Sequence, residues 1–234
     1  MKSLINYYGI ISFLIIYTIS CEDNSPTLIN DYTGQVDTIY DIEGNMYKTI
    51  GIGSQIWMAQ NLKSTRLSDG TIIPTVIEDS LWARITTPGL CWYNNDSGKY
   101  QNIYGPFYNF YTVNTGLLCP VGWHVPTMAD WDILSSYLGG DNIAGGKLKQ
   151  SDGSHWKDPN PCIVSDFRFV ALPGGCRRNY NGVFVDLGYT GNWWTSTSDN
   201  VFESESKAMF HDNMLLNRFI SDKRKGFSVR CIKN

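Results

Sequence analysis

Histidine is scarce in this sequence: His124, His155 and His211 are the only three in 234 residues. They are widely separated and show no Cys-x-x-Cys or His-x-x-x-His spacing, which argues against a zinc site. Basic charge is also short. Nineteen Lys and Arg stand against 22 Asp and Glu, a formal net charge of -3, so no positive field exists to collect nucleic-acid phosphates. No G-x-S-x-G elbow occurs, and the carboxylates Asp130, Asp132, Asp166, Asp186 and Asp199 are scattered along the chain. Neither a serine triad nor a paired-carboxylate hydrolase can be read from that pattern. These gaps lead us to expect a protein that is not an enzyme and needs no cofactor or metal.

What is abundant is aromatic residues and glycine: 8 Trp, 14 Tyr, 10 Phe and 22 Gly, the composition of short strands joined by tight turns. The first twenty residues carry Lys2 and then an apolar run from Ile10 to Ile19 that is too short to cross a membrane comfortably. They read as a signal peptide over residues 1–20. "YTISC" resembles a bacterial lipobox with Thr18 where Leu is usual, so Cys21 is the expected lipidation site. Residues 21–35 would be a polar tether to the membrane, and 36–234 a single domain. The acidic pair Glu22 and Asp23 resembles the surface-export signal of Bacteroidetes lipoproteins, which implies an outer-membrane lipoprotein facing outward. With Cys21 lipidated, five cysteines remain, so at least one thiol is left without an intramolecular partner.

From Val36 the pattern is strand-like, with hairpin turns expected at Gly44-Asn45 and Asp69-Gly70. Residues 79–116 are irregular and crowded with rings. "GWHVPT" reads as a short strand entering a helix capped by Thr127 with Asp130 in the capping-box position. Met128, Trp131, Leu134, Tyr137 and Leu138 share one face of that helix, Gly139-Gly140 stops it, and a shorter helix follows near Ile143 to Gln150. Strands and turns resume from Phe167. The expected class is α+β: short twisted antiparallel strands, one main helix and one short helix, loop-rich.

Trp92, Tyr93, Trp193 and Trp194 lie in Gly/Asn-rich turns together with Asn94, Asn95 and Asn192. A ring beside amide side chains suits a sugar, whose C–H face stacks while its hydroxyls bond to Asn. Polysaccharide or another surface glycan is therefore the expected partner, and the alternative is that these rings are simply core. Strand alternation would send one ring of the Trp193-Trp194 pair inward and the other outward. Arg177 and Arg178 read as the solvated rim of a turn, with a grip on an acidic sugar as the other possibility.

The ordered blocks "DIEGNMYKTIGIGSQIWMAQNLK", "CWYNND", "YGPFYNFYTVN", "CPVGWHVPTMADWDIL", "FVALPGGCRRNYNGVF", "GYTGNWWTSTS" and "GFSVRCIKN" together resemble the Fibrobacter succinogenes major paralogous domain, over roughly Val36 to Asn234. That resemblance implies an exported protein or lipoprotein. "WHVPTMADWDIL" and "GFSVRC" are also similar to blocks of the formylglycine-generating-enzyme family, which implies a C-type-lectin-like fold. The cysteine pair that binds copper in oxidising members of that family has no counterpart in "GNWWTSTSDN". Because chain ends meet in C-type-lectin-like folds, the resemblance implies a Cys119–Cys231 disulfide, with Cys162–Cys176 as the second pair and Cys91 free.

Overall fold

The computed structural model describes residues 31–150, 152, 154–162 and 168–234. Cys21, the signal segment and most of the expected tether lie outside these residues. Five strands form the larger sheet: β1 (Val36–Tyr40), β2 (Met46–Ile52), β3 (Gln55–Met58), β6 (Trp123–His124) and β12 (Ile232–Lys233), in the order β1-β2-β3-β12-β6. A second sheet has three long strands, β9 (Thr190–Ser198), β10 (Glu203–Phe210) and β11 (Asn217–Asp222), ordered β11-β10-β9. Two short pairs complete the set, β4 (Leu90–Cys91) with β5 (Phe107–Tyr108) and β7 (Cys176–Arg177) with β8 (Phe184–Val185). Every strand-to-strand ladder is antiparallel. The class is α+β.

The helices are α1 (Asp79–Trp82), α2 (Ser97–Tyr104), α3 (Phe110–Val113), α4 (Met128–Tyr137) and α5 (Asp141–Leu148). The expected pair is present as α4 and α5, but three short helices stand where irregular chain was expected. Local caps account for two of them: Asp96 accepts from Lys99 N–H at the start of α2, and Asn109 from Thr112 N–H at α3. The capping box at Thr127 and Asp130 forms as the spacing requires. The chain entering it is held to β9, because Ser196 N–H donates to Pro126 O (2.8 Å) and Met128 N–H to Thr197 Oγ1 (2.9 Å). The joint thus seats α4 on the second sheet. Trp131 then meets Trp57 at 4.9 Å between ring centres, Phe169 at 6.0 Å and Trp193 at 6.4 Å.

The expectation of one buried and one exposed Trp in β9 is corrected here, since both Trp193 and Trp194 are fully buried. Their alternation is intact, but β9 has no solvent face at this point. Trp193 joins the core of Trp57, Trp131 and Phe169, while Trp194 joins that of Phe110, Tyr108 and Phe227. Each indole N–H is satisfied, Trp193 on Asn61 Oδ1 at 2.9 Å and Trp194 on Tyr108 O at 2.8 Å.

Arg177 is also not a solvated rim. It is fully buried, donates to Gly182 O, Val76 O, Ile77 O and Asp79 Oδ1, and stacks between Trp82 and Phe184. Three carbonyls and one carboxylate replace its hydration, which makes the burial tolerable.

Cys119 and Cys231 are bonded, with Cα atoms 6.0 Å apart. The second expected bridge does not form: Cys162 and Cys176 are free thiols, as is buried Cys91. Cys176 is fixed in β7 opposite Val185, whereas Cys162 sits beside Lys149 at the end of α5.

Candidate binding groove on the three-stranded sheet

The residues expected to form a ring platform are not brought together as one. Trp193 and Trp194 are core. Trp92 is half-buried against the core, and Tyr93 is enclosed by Tyr100, Phe184 and Phe107 at 5.3, 5.5 and 6.4 Å between ring centres. Burial pushes the Tyr93 phenol up, although its hydroxyl takes a hydrogen bond from Leu187 N–H. Asn94 and Asn95 are exposed in left-handed backbone, at φ 51° and 57°, and Asn95 Nδ2 donates to Ile77 O. Of the set, Asn192 lines a concave surface.

That surface is a groove of about 210 Å³ bounded by Thr190, Asn192, Ser206, Phe210, Phe219, Ser221, Phe227, Cys176, Asp186 and Lys225. Strand register explains its floor. Asn192 faces Ala208, Thr190 faces Phe210, and Ser206 lies between Trp194 and Phe219, so these side chains share the face that Trp194 uses for the core. Phe227 and Trp194, 4.6 Å apart, close the core side. Beyond them the floor is small and hydroxylated, with Ser206 Oγ and Ser221 Oγ 3.1 Å apart. Phe210 and Phe219 stand edge to face at 6.1 Å.

Asn192 is oriented unambiguously. Its amide donates to Gly175 O (3.1 Å) and Thr190 Oγ1 (2.9 Å), and a carbonyl can only accept, so Oδ1 must point away from Gly175. Both amide hydrogens are used. Oδ1 then remains as an acceptor with no partner among the described residues, and the Thr190 hydroxyl, having accepted, keeps its hydrogen for another group. This approach requires bare backbone: a Cβ on Gly175 (φ 73°) would fall 2.2 Å from Val185 O, and one on its bridge partner Gly191 would fall 2.3 Å from the Trp193 ring.

Two charged groups edge the groove. Asp186 sits at φ 64°, held by its carbonyl, which accepts from Tyr189 N–H and Thr190 N–H. Lys225 has its ammonium 5.6 Å from the Phe227 ring centre. The Cys176 thiol is pushed up to about 11 by burial and by the Asp186 carboxylate, so it is a neutral wall rather than a nucleophile.

Two larger hollows lie near α4. One, of about 410 Å³, is lined by Ile52, Asp132, Ile133 and Tyr137; the other, of about 470 Å³, includes His124 and Asp130. Several of their polar groups have partners elsewhere: Asp130 in the capping box, Asp132 with Lys207, and Tyr137 with Thr33. Among the described residues no three of His, Cys, Asp and Glu are grouped to hold a metal ion.

Sequence reasoning reached Asn192 but missed Thr190, Ser206, Ser221, Phe210, Phe219, Asp186 and Lys225. The usable signal was the alternation of small hydroxyl residues in "ESESKAMF". In comparison with known proteins, the model of the family described as Fibrobacter succinogenes major domain matches residues 50–233. No curated protein and no solved structure matches the chain.

Proposed function

The chain belongs to the Fibrobacter succinogenes major domain family, and from that premise we propose that it is a surface-anchored lipoprotein whose domain, of C-type-lectin-like architecture, binds glycan or another surface polymer without catalysing a reaction. The observation that carries this reading is the acceptor and donor left side by side on Asn192 and Thr190, above the serines and between phenylalanine rings. A sugar hydroxyl both donates and accepts, so it satisfies such a pair, and its ring C–H face packs on phenylalanine. The groove is smaller than the roughly 300–1,000 Å³ of drug-sized sites. One sugar ring and an affinity near millimolar follow, about 4 kcal/mol per site. The lectin-like architecture is supported by the capped helix that follows β6 and by the disulfide closing the chain end onto Cys119. The anchor is supported by the sequence around Cys21.

A glycan array probed with wild type and Asn192→Ala tests the reading. Asn192→Ala should weaken every wild-type signal while keeping its melting temperature within a few degrees, because Asn192 is only half-buried. Equal binding by the two proteins, or none by either, would favour a second reading: a purely structural cell-surface domain. The burial of Trp193 and Trp194 is what that second reading has in its favour.

A further inference from the structure

We infer that the groove is specific for an anionic sugar residue, with Lys225 pairing with its carboxylate or sulfate while Asn192 and Thr190 take its ring hydroxyls; this inference rests on the binding reading above. Several cations of the fold have polar partners. Arg177 is paired with Asp79, Lys207 with Asp132 and Asp141, Arg218 with Glu205 and Arg224 with Asp222, and Lys223 donates to Ser198 Oγ and Asn200 O. Lys225 is half-buried, and its ammonium, like that of Lys63, makes neither an ion pair nor a hydrogen bond among the described residues; unlike Lys63 it lines the groove, 5.6 Å from the Phe227 ring centre. The carboxylate three residues before it, Asp222, is taken up by Arg224 through two side-chain contacts and a backbone one.

An ammonium that lines the groove with no counter-charge in ion-pair range is open to an arriving anion, and a charge-assisted contact there is stronger than a neutral one. Arg178 adds positive potential, since with Lys225 it acts on the Cys176 thiol in opposition to Asp186. Asp186 and Lys225 both line the groove and form no ion pair with each other. A sugar acid answers both, with its anionic group toward Lys225 and a hydroxyl donating to Asp186. A neutral sugar would leave Lys225 unpaired, and a free phosphate would leave Asp186 and the Asn192 acceptor facing an anion.

The test uses the full chain and two polymer pairs that differ in charge: polygalacturonate against its full methyl ester, and a sulfated galactan against its desulfated form. Wild type should bind one acidic member about tenfold more tightly than its neutral counterpart at low salt, a charge-assisted bond's worth of discrimination. The preference should shrink as sodium chloride is added. Which pair shows it identifies carboxylate or sulfate as the anion. Lys225→Met should abolish the preference and Lys225→Arg retain it, while Asn192→Ala should weaken acidic and neutral members alike. A preference that survives Lys225→Met, or wild type binding both members of each pair equally, overturns the inference while the groove reading stands, provided Asn192→Ala still weakens binding. No binding of any polymer by folded wild type overturns both.

Discussion

At the scale of single residues, adjacency in a strand says nothing about exposure once both faces of the sheet are covered. Trp193 and Trp194 occupy opposite cores and each indole N–H has its own acceptor, so neither ring is expendable. Trp193→Ala and Trp194→Ala should each cost about 3 to 5 kcal/mol, measured by urea denaturation. A near-neutral result for either would mean that its ring is not packed as described. Glu43 carries a different kind of stability. Burial alone would raise its carboxyl, but hydrogen bonds from the Thr65 hydroxyl and N–H and from the Ser64 hydroxyl outweigh that and hold it below the usual carboxylate range. The unfolded chain therefore binds the proton more readily than the folded one. Its stabilising contribution is complete above the ordinary glutamate range and is lost as pH falls through the depressed folded value. Glu43→Gln should lower stability at neutral pH and flatten the acid limb of the stability profile below about pH 5. An unchanged acid limb would remove Glu43 as its source.

At the scale of elements, the Cys119–Cys231 bond closes a loop of 112 residues and ties the entry to β6 onto the approach to β12, two strands paired only through Ile232 with His124 and Lys233 with Trp123. Such a short ladder relies on the covalent tie. The Cys119→Ser, Cys231→Ser double variant should lose about 4 to 5 kcal/mol in the chain-entropy description, read as a lower urea midpoint. A loss below about 1 kcal/mol would show that the closing strand holds without it. The elements legible in the sequence were those specified by their own neighbours. The β1–β2 hairpin turns at Gly44, φ 79°, and the α4 cap needs only Thr127 and Asp130. What escaped depends on distant chain. The second face of β9 is covered by Phe110 and Phe227, and α2 buries only Tyr100 and Tyr104, too narrow a stripe to stand out among so many rings. The groove takes its wall from β7, its edge from the turn at Asp186 and its floor from three strands, so Asn192 was visible while its partners were not.

At the scale of the whole molecule, a weak single site becomes useful only when many copies face the same polymer. The described chain enters on the five-stranded sheet, where Tyr32 N–H donates to Gly53 O and Gly51 N–H to Gln35 O. The groove belongs to the other sheet. Linked sites exchange bimolecular for local rebinding and gain about 10²- to 10⁴-fold in apparent affinity without a new contact. Membrane vesicles carrying the lipidated chain should therefore be retained on an insoluble glycan that the groove recognises. Cys21→Ala, which removes the proposed acceptor of a diacylglyceryl group, should release the protein into the soluble fraction and return its apparent affinity to about millimolar. Mass spectrometry should find diacylglyceryl on the wild-type N-terminal cysteine after cleavage between Ser20 and Cys21. An unmodified Cys21 in the membrane fraction, or soluble Cys21→Ala that is retained as strongly as the vesicles, would separate anchoring from binding and leave the domain to act as a lone, weak receptor.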